Sequence, residues 1–215
     1  MVDPANESSF RLDVAGLSNT FEVLSFAGRE SISEPFVFDV DLLIEDPTLD
    51  LAGLLYRSAS LLFGPEGNVI HGQLHELVQR EHGLGVRLCQ VRLGPKLACL
   101  ARRYSQRIFS GRSVPQILDQ VLREHGIVDQ DRRLELAGDY PPRDFCTQYR
   151  ESDLQFLQRL CAHERLHYHF EHRADGHCVV IGEGPGNFQV AEAAVFRAMG
   201  GQPAVRRFEV MRCTD

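Results

Sequence analysis

PPRDFCTQYRESDLQFLQRLCAHERLHYHF, residues 141–170, carries the sharpest structural signals in the chain. Ser152 is followed three residues later by Gln155, a capping box in which hydroxyl and amide each satisfy a backbone group of the first helical turn. Asp153 then stands where a helix N-terminus favours negative charge. Leu154, Leu157, Leu160 and Cys161 recur at the spacing of one helical face, with Phe156 beside it, so this amphipathic helix packs that stripe on a sheet or a second helix. From Leu166 the period drops to two. Leu166, Tyr168 and Phe170 alternate with His167, His169 and Glu171, as in a strand with one buried face. The helix is therefore expected to stop near Arg165.

That change of period bears on the one pattern with catalytic form. His163, Glu164 and His167 spell H-E-x-x-H, which on a continuous helix sets two imidazoles on one face to hold zinc, with the glutamate as base for a bound water. A zinc-dependent hydrolase is the alternative this motif raises, with His172, His177, Cys178 and Glu183 as available third ligands. Because His167 opens the strand pattern, the two histidines are expected on different elements. No catalytic, cofactor-binding or metal-binding residue is assigned.

Upstream of this stretch, residues 110–126 repeat its logic. Ser113 and Gln116 form a second capping box, Pro115 fits the first turn, and Val114, Ile117, Leu118, Val121 and Leu122 make the buried stripe. Gly126 supplies a left-handed stop, with Ile127 beyond it to pack back. A charged linker, 129–139, leads to Tyr140. Arg143, Asp144, Arg150 and Glu151 read as solvated or cross-strand ion pairs. Farther back, residues 10–93 read as β structure. Pro35 opens a strand in which Phe36, Phe38, Val40 and Leu42 face inward, and Asp50 caps a short helix at 51–55. Further strands are expected at 59–63, 69–78 and 86–93, separated by turns at 64–67 and 81–83. Close-spaced short strands suit a small barrel or sandwich. His71 and His75 lie on one face of such a strand, without further ligands. Past Ile181, residues 182–186 read as a loop and 204–212 as one more strand.

Composition sets outer limits. A net charge of −7 argues against a general nucleic-acid binder, and Arg102, Arg103, Arg107 and Arg112 read as a solvated strand-to-helix connection, open to pairing with acidic neighbours, rather than a phosphate site. Cys89, Cys99, Cys146, Cys161, Cys178 and Cys213 include no C-x-x-C pair and are expected as reduced, buried thiols. Residues 1–9 lack a basic segment followed by an apolar one, so no signal peptide is expected, and no stretch has the length of a membrane span. Phosphate-loop, nucleophile-elbow and dinucleotide fingerprints do not occur, and Lys96 is the only lysine.

Several runs occur in a shared order: Phe26-Ala27-Gly28-Arg29-Glu30, Ser33-Glu34-Pro35-Phe36, Arg107-Ile108-Phe109, Ser113-Val114-Pro115, Tyr140-Pro141-Pro142-Arg143, Gln148-Tyr149-Arg150-Glu151-Ser152-Asp153 and Leu166-His167-Tyr168-His169-Phe170. Over residues 10–181 they resemble the VgrG family, the spike proteins of type VI secretion systems, related to the baseplate hub proteins of contractile-tailed phages. Where that family usually reads Glu-Gly-Ile, this chain has Glu164-Arg165-Leu166.

The resemblance implies an α+β, mainly β fold: a tube-protein-like small β-barrel over 10–100, an α/β segment with two capped helices over 101–181, and the start of a second barrel over 182–215. It implies a non-enzymatic structural base of a trimeric puncturing spike, with two barrels per chain matching a hexameric tube protein ring. The implied partners are a homotrimer in the full-length protein, the tube, baseplate components, and effectors or tip proteins held by C-terminal regions absent here. The implied route is from the bacterial cytoplasm through the type VI machinery. A hub of a phage-like contractile injection device is the second structural alternative.

Overall fold

The computed structural model describes residues 10–18, 20–46, 48–64, 68–83 and 86–184. The strands are β1 (Phe10–Val14), β2 (Thr20–Ser31), β3 (Glu34–Ile44), β4 (Ser58–Phe63), β5 (Asn68–Gly83), β6 (Val86–Gly94), β7 (Tyr104–Arg112), β8 (Arg132–Glu135), β9 (Arg143–Ser152), β10 (Leu166–Arg173) and β11 (Gly176–Glu183). Two α-helices, α1 (Val114–Glu124) and α2 (Asp153–His163), join them. Residues 204–212, expected as a strand, lie outside the described residues.

Strands β1 to β6 close into an antiparallel barrel in the order β1-β2-β3-β6-β5-β4. Closure removes exposed sheet edges and directs alternate residues inward. Leu12, Val40, Leu61, Leu74, Val91 and Leu93 are among those fully buried there. Gly28 fits this packing because a Cβ at that position would stand 2.1 Å from the Phe38 ring.

A second core gathers the remaining elements. The stripes expected on both helices are buried in it, with Leu118 and Leu157 each 0% exposed. Both capping boxes form. At the end of α1, Gly126 has φ +69°, Gly126 N donates to Arg123 O at 2.9 Å and Ile127 N to Leu122 O at 3.0 Å, a Schellman turn that brings Ile127 into the core. The helices are covered by a two-stranded sheet, β7-β9, and by a three-stranded sheet in the order β10-β11-β8.

The two cores meet at Phe170, which packs against both. Its ring stands edge-on to Phe36 at 5.0 Å, and Phe36 in turn faces His177 at 5.5 Å. The β2–β3 hairpin tip docks on the second core: Ser33 N donates to Tyr168 O at 2.8 Å, and Gln158 Nε2 donates to Ser33 O at 3.2 Å. Across the junction His172 Nε2 lies 2.6 Å from Glu30 Oε1, and His71 Nε2 lies 3.0 Å from Ala174 O.

Several expectations need correction. Residues 129–139 are not a plain linker: a 3₁₀ turn, Asp129–Asp131, leads into β8, which pairs in parallel with β11. Its sequence, RRLE, hides the strand because its charges are answered by neighbours, Arg133 by Glu171 and Glu135. The turn expected at 81–83 is instead the end of β5, paired with β6 up to Gly83↔Val86. Likewise β11 runs through Gly182 and Glu183, where a loop is expected. Pro35 is the second residue of β3, and the short helix near 51–55 is a 3₁₀ turn, Ala52–Leu54, whose Ala52 N is held by Asp50 Oδ1 at 3.1 Å.

Candidate functional site

The HERLH segment is a helix stop. Helix α2 ends at His163, Glu164 is its C-cap, and Arg165 turns the chain at φ +56° into β10. His163 therefore lies on the last helical turn and His167 on a strand, where its ring stacks on His169 at 6.2 Å. The Glu164 carboxylate is taken up by the Arg143 guanidinium rather than held over a site for water. Burial, and then the neighbouring His169, lowers the His167 pKa from its ordinary value.

Among the described residues, His172 and His177 stand opposite each other on β10 and β11, but each of the other candidate ligands is engaged elsewhere. His172 pairs with Glu30, and His177 is packed against Phe36 and Phe170, its pKa pushed down to about 4 chiefly by burial and next by His172. Cys178 is buried, and burial raises its thiol pKa. Glu183 receives Ala137 N, Gly138 N and the Tyr140 hydroxyl. His71 and His75 diverge because the register of β5 against β6 shifts between Leu74 and Glu76: His71 reaches Ser60 and Ala174, while His75 turns in to Pro95 O at 3.0 Å.

The most concentrated electrostatic arrangement is one that sequence patterns do not single out. Asp153, the first residue of α2, is 0% exposed. His125 Nε2 lies 2.8 Å from its Oδ2, Gln148 Nε2 donates to its Oδ1 at 2.7 Å, and Arg107 and Arg103 stand at 3.4 and 3.5 Å. Burial alone would raise the Asp153 pKa; hydrogen bonds from His125 and Gln148 and the charge of Arg107 outweigh it and hold the carboxyl below its ordinary value. Arg107 also grips Gln148 Oε1 at 2.8 Å and Glu124 Oε2 at 2.6 Å.

One guanidinium thus ties the end of α1, the β7–β9 pair and the start of α2 together, and Arg103 and Arg107 both pair with acidic neighbours, Arg103 from an exposed position. Arg102, exposed as expected, donates to His75 O at 3.0 Å and stands over the Tyr56 ring. With every carboxylate of this network answered by donors from fixed elements, the arrangement serves to lock geometry. The available signal was Asp153 following a capping box, but its partners lie up to 50 residues away.

Comparison with known proteins agrees with a scaffold. The family described as phage tail baseplate hub (GPD) matches residues 29–213. Among curated relatives, the type VI secretion system spike protein VgrG4b of Pseudomonas aeruginosa is 44% identical over 183 residues, which are 85% of this chain and 23% of the relative. Spike protein VgrG5 of the same organism is 42% identical over 98% of this chain and 27% of its own length. The chain thus spans about a quarter of the length of these relatives. Among solved structures, the E. coli c3393 protein, described as a component of the type VI secretion system similar to the T4 bacteriophage tail proteins gp27 and gp5, superposes with a TM-score of 0.78 at 26% identity, covering 83% of this chain and 50% of that one. A 43 kDa prophage tail protein from Shewanella oneidensis shares the fold at a TM-score of 0.54 and 14% identity, over 80% of this chain and 52% of that one. The closed barrel, the α/β core docked on it and the extent of these matches place the chain in the phage tail baseplate hub (GPD) family, as the N-terminal base region of a VgrG-type type VI secretion spike.

Proposed function

We propose that this chain acts by shape, as the base of a trimeric puncturing spike that docks on a hexameric tube ring and helps to deliver effectors. The observation that carries this reading is the closed six-stranded barrel bound to a second core, an architecture shared at a TM-score of 0.78 with a type VI secretion component. The same region matches relatives named as spikes and one named as the actin cross-linking toxin VgrG1 of Vibrio cholerae, of which it covers 17%. That supports a common, non-catalytic base to which other activities are attached elsewhere.

In this reading residues 10–100 form the first tube-like barrel, 101–181 the α/β segment and 182–215 the start of a second barrel. Three copies would present six barrels to the six subunits of the ring. Baseplate components and effectors or tip proteins are its further partners. Export would follow the type VI route from the bacterial cytoplasm. Identities of 44% and 42% to VgrG spikes favour a secretion spike over a phage hub.

Mixing the purified protein with preassembled tube rings tests this: co-elution at three chains per ring supports docking, and separate elution of both contradicts it. A parallel assay addresses hydrolysis. Stoichiometric zinc retained through dialysis against a mild chelator, together with proteolysis lost in Glu164→Gln, would overturn the non-catalytic reading, because a zinc-site base can be removed without removing the metal.

A further inference from the structure

The β7–β9 pair buries one face and leaves the other open. Phe109 opposite Cys146 and Arg107 opposite Gln148 point into the second core, whereas Ile108 opposite Thr147 and Ser110 opposite Phe145 point away from it. On that outer side Phe145 is 73% exposed, Ile108 64% and Tyr149 58%. Three large apolar side chains exposed on one sheet face form the kind of patch that marks a docking surface. Its charge is positive. Arg150 stacks over the Tyr149 ring, and Arg112 makes no ion pair among the described residues, while Arg143 opposite it is answered by Glu164. Asp144 falls on the other side by strand alternation. Aromatic groups with arginine are the residues that dominate binding energy at protein interfaces.

A surface of the opposite sign lies on the barrel. A hollow of about 680 Å³ is lined by apolar Leu17, Phe21 and Leu43 and by the carboxylates of Glu22, Glu45 and Asp46, with no basic residue in its lining. All three acidic residues are exposed. The face is apolar with an arginine rim and the hollow is mainly polar and acidic, so the two carry opposite charge. A two-fold contact of the β7–β9 face with itself would set Arg112 and Arg150 against like charges, so electrostatics favours meeting a different surface.

We infer that the outer face of β7–β9 docks into the acidic hollow on the barrel of a second copy of this chain. Such a contact is heterologous, and a heterologous contact generates a ring when its rotation closes. The inference rests on the reading of the chain as one copy in a ring, and assigns the two surfaces that hold neighbouring copies together.

Two variants separate the surfaces. Phe145→Asp with Arg112→Glu disables the face, and Glu22→Lys with Glu45→Lys disables the hollow. All four positions are exposed, and melting curves check that the fold is kept. Sedimentation velocity over a dilution series should show the unaltered chain self-associating, more weakly as salt is raised. Each variant alone should associate more weakly by on the order of a hundredfold. Their equimolar mixture should recover a complex that stops at two chains, because only one intact face and one intact hollow remain to meet. Should either double variant melt early, Ile108→Ser and Glu45→Gln test the same surfaces with smaller effects of the same sign.

The inference is overturned if the unaltered chain stays monomeric throughout, or if the mixture stays monomeric while the unaltered chain associates. Variants that associate as the unaltered chain does would overturn the surface assignment and leave the ring standing. A two-fold dimer of the unaltered chain would overturn both.

Discussion

Asp153 shows how much a single side chain organises. Its carboxylate is enclosed by donors from the end of α1, β7 and β9, and it begins α2, so removing it takes the shared acceptor from His125 and Gln148 and leaves Arg107 with Glu124 alone. Losing hydrogen bonds to a buried charged group costs about 1.5–3 kcal/mol, more than a surface ion pair contributes. Asp153→Ala should lower the urea midpoint accordingly with the slope unchanged, and a shift within error would show the network to be ornamental. His177 contributes to the response to acid. Burial, then His172, holds its folded pKa at about 4 against an ordinary 6.5, so the unfolded chain binds the extra proton first. Its contribution is complete above pH 6.5 and is lost as pH falls from there through 4, amounting to ~3 kcal/mol. Urea midpoints measured across that window should fall for the unaltered chain and fall less for His177→Gln; parallel curves would contradict the assignment. None of this network is legible in sequence, since Arg107 and Gln148 acquire meaning only when distant strands pair. What is legible is the acid at a capped helix start.

Elements were readable where local chemistry marks their ends. Both capping boxes, the Gly126 stop and the turn from α2 into β10 lie where their residues predict, because each is decided within one helical turn. β8 was not readable, since a four-residue edge strand of mostly charged residues has no apolar alternation and exists by pairing with β11. The HERLH segment stands between these cases: the switch in period separates its histidines, but only the structure shows Arg143 holding Glu164. At the same turn Arg165 adopts φ +56°, where the family usually has glycine. A left-handed residue with a Cβ costs about 1–2 kcal/mol, partly offset by the entropy glycine loses on folding. Arg165→Gly should therefore stabilise the chain by about 0.5–1 kcal/mol. A melting temperature that falls instead would mean that the Arg165 side chain contributes packing absent from this account.

At the scale of the whole molecule, the six strands signalled a small barrel or sandwich, and the pairing of β1 with β4 decides for closure. The join between barrel and α/β core was not foreseeable, because it depends on Phe36, Phe170, His172 and Ser33 meeting across more than a hundred residues of chain. That join holds the open β7–β9 face and the acidic hollow of the barrel on one chain. The proposal that the protein carrying this chain is a trimer is tested most directly by the mass of the complete protein in solution by light scattering. Three copies per particle at micromolar concentration is the expected result, and a monomer under those conditions would contradict the account.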